Sequence, residues 1–143
     1  MRNILGSAIT VAAVAHFDQT DKADKAYILH PLRMMMRLRT DDEELMAIAV
    51  LHDVLEDNEE CTTKELRDAG MTERVIAGVV ALTRNPSESY ENFIKRCALN
   101  PDAKRVKRED LRDNSDITRL KGLRKKDFDR LEKYSKAFIY LSD

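Results

Sequence analysis

Three properties of the 143-residue chain predict an all-α fold: apolar residues recur every three or four positions in segment after segment, no stretch alternates apolar and polar residues at strand length, and the breaks carry helix caps rather than hairpin turns. The expected architecture is a compact bundle of about seven or eight helices. Its length suits a single domain over residues 1–143, with 43% hydrophobic residues to build one core.

The first helix is expected over 3–16, where Ile4, Leu5, Ala8, Ile9, Ala12 and Ala15 repeat at helical spacing. The same run imitates a signal peptide ending in Ala13-Val14-Ala15, but only Arg2 supplies basic charge ahead of it, so a core helix is the expectation. A second helix is expected over 30–39. There His30 precedes Pro31, which disfavours a helical conformation for the histidine and predicts an extended residue whose ring points sideways. Met34, Met35 and Met36 read as adaptable core filler. The third segment, 41–56, starts with a Thr40/Glu43 capping box and four first-turn acids, then Leu45, Ile48, Ala49 and Leu51. Helices over 63–69, 72–83, 87–98, 101–115 and 125–141 follow. Their limits are set by Thr62 and Thr63, by Gly70, by Asn85-Pro86-Ser87, and by Asn100 ahead of Pro101.

Twenty-five basic residues against 26 acidic ones leave a formal charge of −1, so bulk charge does not point to nucleic acid. The absence of Trp and of a Gly-rich phosphate loop removes single-strand stacking and a Walker-type nucleotide site. Cys61 and Cys97 lack metal-site spacing and read as free thiols of a reducing compartment, which predicts a cytoplasmic protein, and the apolar run Ile4 to Ala15 is too short to span a bilayer, so no membrane partner is expected. The sequence leaves the oligomeric state open, a homodimer being one outcome.

Chemistry concentrates in Ala49-Val50-Leu51-His52-Asp53-Val54-Leu55-Glu56-Asp57, where one imidazole and three carboxylates interrupt an apolar run. On a continuous helix His52/Glu56 and Asp53/Asp57 are i,i+4 pairs sharing one edge of a face. Two readings are open at this point: a metal or catalytic cluster, or a solvated helix end with a core histidine. Tyr27-Ile28-Leu29-His30-Pro31 adds a second histidine. Asp110 and Asn114 lie one turn apart on an amphipathic segment containing Val106 and Leu111.

In this order the motifs resemble the HD-domain superfamily, and more closely the alarmone hydrolases related to the hydrolase half of RelA/SpoT proteins. The resemblance runs from residue 12 to about 140. It is carried by Ala15-His16-Phe17-Asp18-Gln19 leading to Lys22, by the His30 and His52-Asp53 segments, by Leu82-Thr83-Arg84, and by Val106-Lys107 with Asp110-Leu111 and Asp113-Asn114. It implies a helical bundle holding one divalent ion, usually Mn²⁺, on His30, His52, Asp53 and Asp110. Glu56 and Asp57 match the family's acidic pair, which positions and deprotonates the attacking water. Lys22, Tyr27, Asn114, Arg130 and Tyr134 match substrate-binding positions, and His16 a structural one. The implied reaction is removal of pyrophosphate from the ribose 3′ position of ppGpp or pppGpp, the stringent-response alarmones. Alternatives are phosphohydrolysis of another nucleotide such as NADPH and a silent nucleotide-binding module.

The chain departs from the family pattern at four places. Asp21 replaces an arginine that stacks on the base and is expected to repel phosphate; Asp24 replaces a glycine, Ala26 a proline, and Arg108-Glu109 a hydrophobic-small pair.

Overall fold

The computed structural model describes residues 3–57 and 60–143, with the backbone alone for Asp57. The helices are α1 (Ile4–Ala15), α2 (Leu29–Arg37), α3 (Glu43–Leu51), α4 (Val54–Asp57), α5 (Thr63–Asp68), α6 (Glu73–Ala81), α7 (Tyr90–Ala98), α8 (Pro101–Asn114) and α9 (Lys125–Leu141), with a 3₁₀ turn at Ile117–Arg119. Among the described residues the only extended pairing is an isolated bridge between Thr20 and Ala26. No helix there is long and apolar enough to cross a membrane. The all-α architecture expected from the sequence is thus present.

α3 is the central element because Leu45 and every residue from Ala47 to Leu51 are buried. A helix apolar on all sides must be enclosed by others, and α1, α2, α6 and α8 all pack on it. α1 contributes Ala8 and Ala12 to the core, as a core helix should. Their small side chains let it lie close to α3.

Several boundaries differ from the sequence reading. α3 is capped by Asp42, whose carboxylate accepts from the Leu45 N–H at 3.2 Å, while Thr40 Oγ1 accepts from the Asp42 N–H at 3.1 Å. Asp and Thr are both good caps, and the positive φ of 48° at Arg39 delays the helix past Thr40. α7 starts at Tyr90 behind a Ser89 cap rather than at 87. His30 is helical rather than extended. It lies in the first turn of α2 just ahead of Pro31, where proline's missing N–H falls among groups without an intrahelical partner. Met34 and Met35 are core, whereas Met36 is 67% exposed.

α3 and α6 approach closely at Gly78. A Cβ added at Gly78 would stand 2.6 Å from Ile48 Cδ1 and 3.0 Å from Cγ1, and Ile48 is itself fully buried. Gly78→Ala should therefore lower stability by roughly 1–3 kcal/mol through overpacking, outweighing the roughly 1 kcal/mol that alanine gains over glycine in a helix. Thermal unfolding checks this. Adding Ile48→Val, which removes Cδ1, should recover part of the loss, and an undiminished midpoint in Gly78→Ala alone would show that Ile48 can yield.

Candidate metal centre and nucleotide cleft

The expected helix over 41–56 breaks at the two residues that carry its chemistry. α3 stops at Leu51 and α4 begins at Val54, leaving His52 and Asp53 on the turn between them. The His52 side chain takes part in the break: its Nδ1–H donates to the Ala49 carbonyl at 2.9 Å, alongside a backbone contact from His52 N to the same oxygen at 3.4 Å. Side-chain bonds to nearby carbonyls compete with the helical ladder. The i,i+4 relations expected across His52, Asp53, Glu56 and Asp57 are replaced by a corner that turns both His52 and Asp53 inward.

Three elements meet there. His30 comes from α2, His52 and Asp53 from the corner, and Asp110 from α8. Ligand atoms of His30, His52 and Asp53 all lie within 4.8 Å of one another. Asp110 Oδ1 stands 2.9 Å from His30 Nε2 and 3.8 Å from His52 Nε2. The imidazoles are oriented from behind. His30 Nδ1 donates to Asp113 Oδ2 at 2.6 Å, and because a carboxylate only accepts, Nε2 is the atom facing the centre. His52 is fixed likewise by Ala49, and its buried Nε2 faces the carboxylates, 3.1 Å from Asp53 Oδ2 and 3.8 Å from Asp110 Oδ1. A buried lone pair aimed at two carboxylates and a second imidazole fits a divalent ion, and a carboxylate or carbonyl behind each ligating histidine is the usual support for one. A mixed set of two nitrogens and two carboxylates accepts several first-row ions.

Charge at the centre is held by its neighbours. Burial opposes ionisation of Asp53, yet His52 and the Tyr27 hydroxyl, which donates to Asp53 Oδ2, bring its pKa to about 2. Burial also opposes ionisation of Asp110, but Lys107 and the two histidines hold it well below the ordinary carboxylate range; Lys107 Nζ lies 2.6 Å from Asp110 Oδ2. Burial works against charging His30, and the carboxylates of Asp110 and Asp113 outweigh it and raise its pKa to about 9. Negative potential that binds a proton so firmly can equally bind a cation.

The centre opens into a cavity of about 340 Å³ lined by His30, Asp53, Glu56 and Asp110. A second cavity of about 260 Å³ adjoins it through the shared wall of Lys22, Tyr27, Asn114 and Tyr134. Three of the four ligand candidates, His30, Asp53 and Asp110, line the main cavity, with His52 buried beside them, and all five substrate-binding candidates line the adjoining one. Arg130 lines the second cavity and bonds Asp127, and Asn114 Nδ2 donates to Asp110 Oδ1 at 2.8 Å. Glu56 is exposed at the cleft, and the side chain of Asp57 lies outside the described residues. His16 caps α1, bonds Gln19 through Nδ1 at 2.8 Å and packs on Tyr27, in keeping with a structural role.

Two features of the cleft were not foreseen. Asp113 is fully buried behind His30 and takes Arg33, Arg37 and Arg119 as ion-pair partners. Its spacing from Val106 and Asp110 on α8 was the available signal, since i, i+4 and i+7 mark one buried stripe. Arg84 and Lys133 also line the main cavity; Arg84 belongs to the Leu82-Thr83-Arg84 motif, to which the sequence reading assigns no site role, and nothing in the local sequence of Lys133 separates it from solvated surface charge. Asp21 does not project into the cleft as a free carboxylate. Its Oδ1 accepts from the Ala23 and Lys25 N–H groups at 2.8 and 3.0 Å, and its Oδ2 pairs with Arg119 at 3.1 Å. Asp24 adopts φ 61°, a left-handed backbone that favours glycine.

No family model matches the chain. A solved structure of a metazoan SpoT orthologue, described as hydrolysing ppGpp and playing a role in starvation responses, superposes with a TM-score of 0.80 over 99% of this chain and 86% of that one, at 21% identity. The chain carries the all-α HD-domain bundle fold. In sequence it is 32% identical over 117 residues, 75% of its length, to the guanosine-3′,5′-bis(diphosphate) 3′-pyrophosphohydrolase of Aquifex aeolicus (strain VF5). It spans 16% of that relative's length. The resemblance to alarmone hydrolases thus holds in sequence and in fold, and the His/Asp cluster of the HD-domain site can hold a divalent metal.

Replacing His52 or Asp110 by Ala should abolish stoichiometric metal retention, read by elemental analysis of dialysed protein. Asp113→Asn removes charge from behind His30 without touching the ion and should weaken metal affinity by about 10–100-fold. Retained metal in His52→Ala or Asp110→Ala, with native helicity, would refute the ligand set.

Proposed function

We propose that the chain is a divalent-metal-dependent hydrolase that removes pyrophosphate from the ribose 3′ position of ppGpp and pppGpp, with Mn²⁺ as the ion. The observation that carries the reading is the buried Nε2 of His52, oriented by Ala49 and set beside His30, Asp53 and Asp110, which line a cleft with basic and aromatic walls. The similarity to the Aquifex enzyme supports the substrate class.

The ion would be held by His30, His52, Asp53 and Asp110, and when bound it supplies charge neutralisation at the phosphoryl group and acidifies water. Glu56, at the cleft beside Asp53, accepts the proton of the attacking water, and Asp57 supports it. Tyr27 and Asn114 steady Asp53 and Asp110 while presenting polar edges to the ribose. Lys22 and Arg130 bind phosphate, and Tyr134 provides a ring face for the nucleoside. On this reading residues 1–143 form one catalytic domain working in the cytoplasm, where a nucleotide alarmone and the two free thiols both belong.

A release assay with ppGpp, pppGpp and NADPH in the presence of Mn²⁺ tests the proposal: pyrophosphate should appear from the first two. Faster orthophosphate release from NADPH would reassign the substrate, and metal-loaded protein inert towards all three would mark a silent binder. Glu56→Gln keeps the shape of the side chain but cannot accept the proton. It should lower kcat by about 10²-fold or more with metal content unchanged.

A further inference from the structure

The loop that carries Lys22 into the cleft is held by its own hydrogen bonds. The Thr20–Ala26 bridge closes it, with backbone bonds from Asp21 N to Lys25 O at 2.8 Å and from Tyr27 N to Gln19 O at 2.9 Å. Asp21 Oδ1 fills its interior by accepting two backbone N–H groups, which leaves Oδ2 to face outward. The group it meets is Arg119.

Arg119 has two arms in use. Nη2 donates to Asp21 Oδ2 at 3.1 Å, while Nη1 donates to both the backbone oxygen and Oδ2 of Asp113, each at 2.8 Å. Asp113 Oδ2 also accepts from His30 Nδ1. The 3₁₀ turn that holds Arg119 is itself fixed, with Asp116 accepting from the Thr118 N–H at 3.1 Å. Asp113 is fully buried, and Asp21 and Arg119 are largely shielded, so these charge-assisted bonds are little screened by solvent.

We propose that Arg119 is a positioning residue that ties the loop bearing Lys22 to the carboxylate orienting His30, so that substrate-binding loop and metal ligand are held in one frame. This rests on the nucleotide-hydrolase reading above. A planar guanidinium suits the task because its fork spans two carboxylates at a fixed separation, whereas an ammonium would reach one at a time. The chain's departure at position 21 then has a use: an arginine there could not accept from Arg119.

Asp21→Asn isolates the link. The amide oxygen can still fill the loop interior, while an amide nitrogen facing Arg119 cannot accept from it. With the variant, KM for ppGpp should rise about 3–10-fold with kcat within about 2-fold, the pattern of lost binding without lost chemistry. Arg119→Gln should raise KM at least as much and also weaken Mn²⁺ affinity, with Arg119→Lys intermediate in both. In the double variant KM should equal that of Arg119→Gln alone, since both changes cut one connection. Independently of any substrate, amide hydrogen exchange over 19–26 should quicken several-fold in Asp21→Asn and Arg119→Gln while α3 amides stay unchanged. Unchanged loop exchange in both variants, or additive effects in the double, would overturn the proposal. A chain that fails to cleave ppGpp while its loop exchange responds as stated would instead discard the substrate assignment and leave the strut standing.

Discussion

A cluster of buried ionisable side chains at the junction of α2, α8 and the α3–α4 corner sets the terms for the surrounding structure. Isolated charge in such a place is costly, and removing one member of a buried pair typically costs about 3–5 kcal/mol because the other is stranded. The molecule meets this with opposing charge on every side: Lys107 against Asp110, and His30, Arg33, Arg37 and Arg119 against Asp113. The apolar core around α3 is arranged so that these groups meet at its edge, beside a cleft.

The corner at His52–Asp53 shows how local structure yields to that arrangement. A continuous helix would have kept an ordinary backbone ladder but spread the acidic groups along one exposed face. The break gives up helical bonds and receives in return a side-chain bond from His52 to Ala49 and an inward-facing Asp53 held by Tyr27. The same exchange occurs at Asp24, where a left-handed backbone that suits glycine is carried by an aspartate within a loop tightly bonded by Asp21.

Support for the centre comes from parts of the chain far apart in sequence. Asp113 lies 83 residues beyond His30, and Arg119 lies 98 residues beyond Asp21. The first bond joins α8 to α2 and the second joins the 3₁₀ turn after α8 to the loop that lines the cleft, so packing of the bundle and geometry of the site are parts of one construction. Gly78 makes the same point from the apolar side: it lets α6 seat against Ile48, four residues ahead of His52 on the same run of chain.

Periodicity and caps determined the helical class, the order of the elements and most of their limits, because each of those signals is local and repeats every turn. Acidic and imidazole groups within an apolar run mark out His52, Asp53, Glu56 and Asp57, while His30, Asp110 and the residues of the cleft wall become candidates through the family resemblance that the ordered motifs carry. Local rules failed at three places: His30 is helical despite Pro31, the third helix is broken at His52 and Asp53, and Asp21 is not free but paired with Arg119. The buried Asp113, the arginines gathered on it and the span of Arg119 were decided only by tertiary structure. Their partners lie on other helices, and nothing in a linear spacing records which charge will be buried against which.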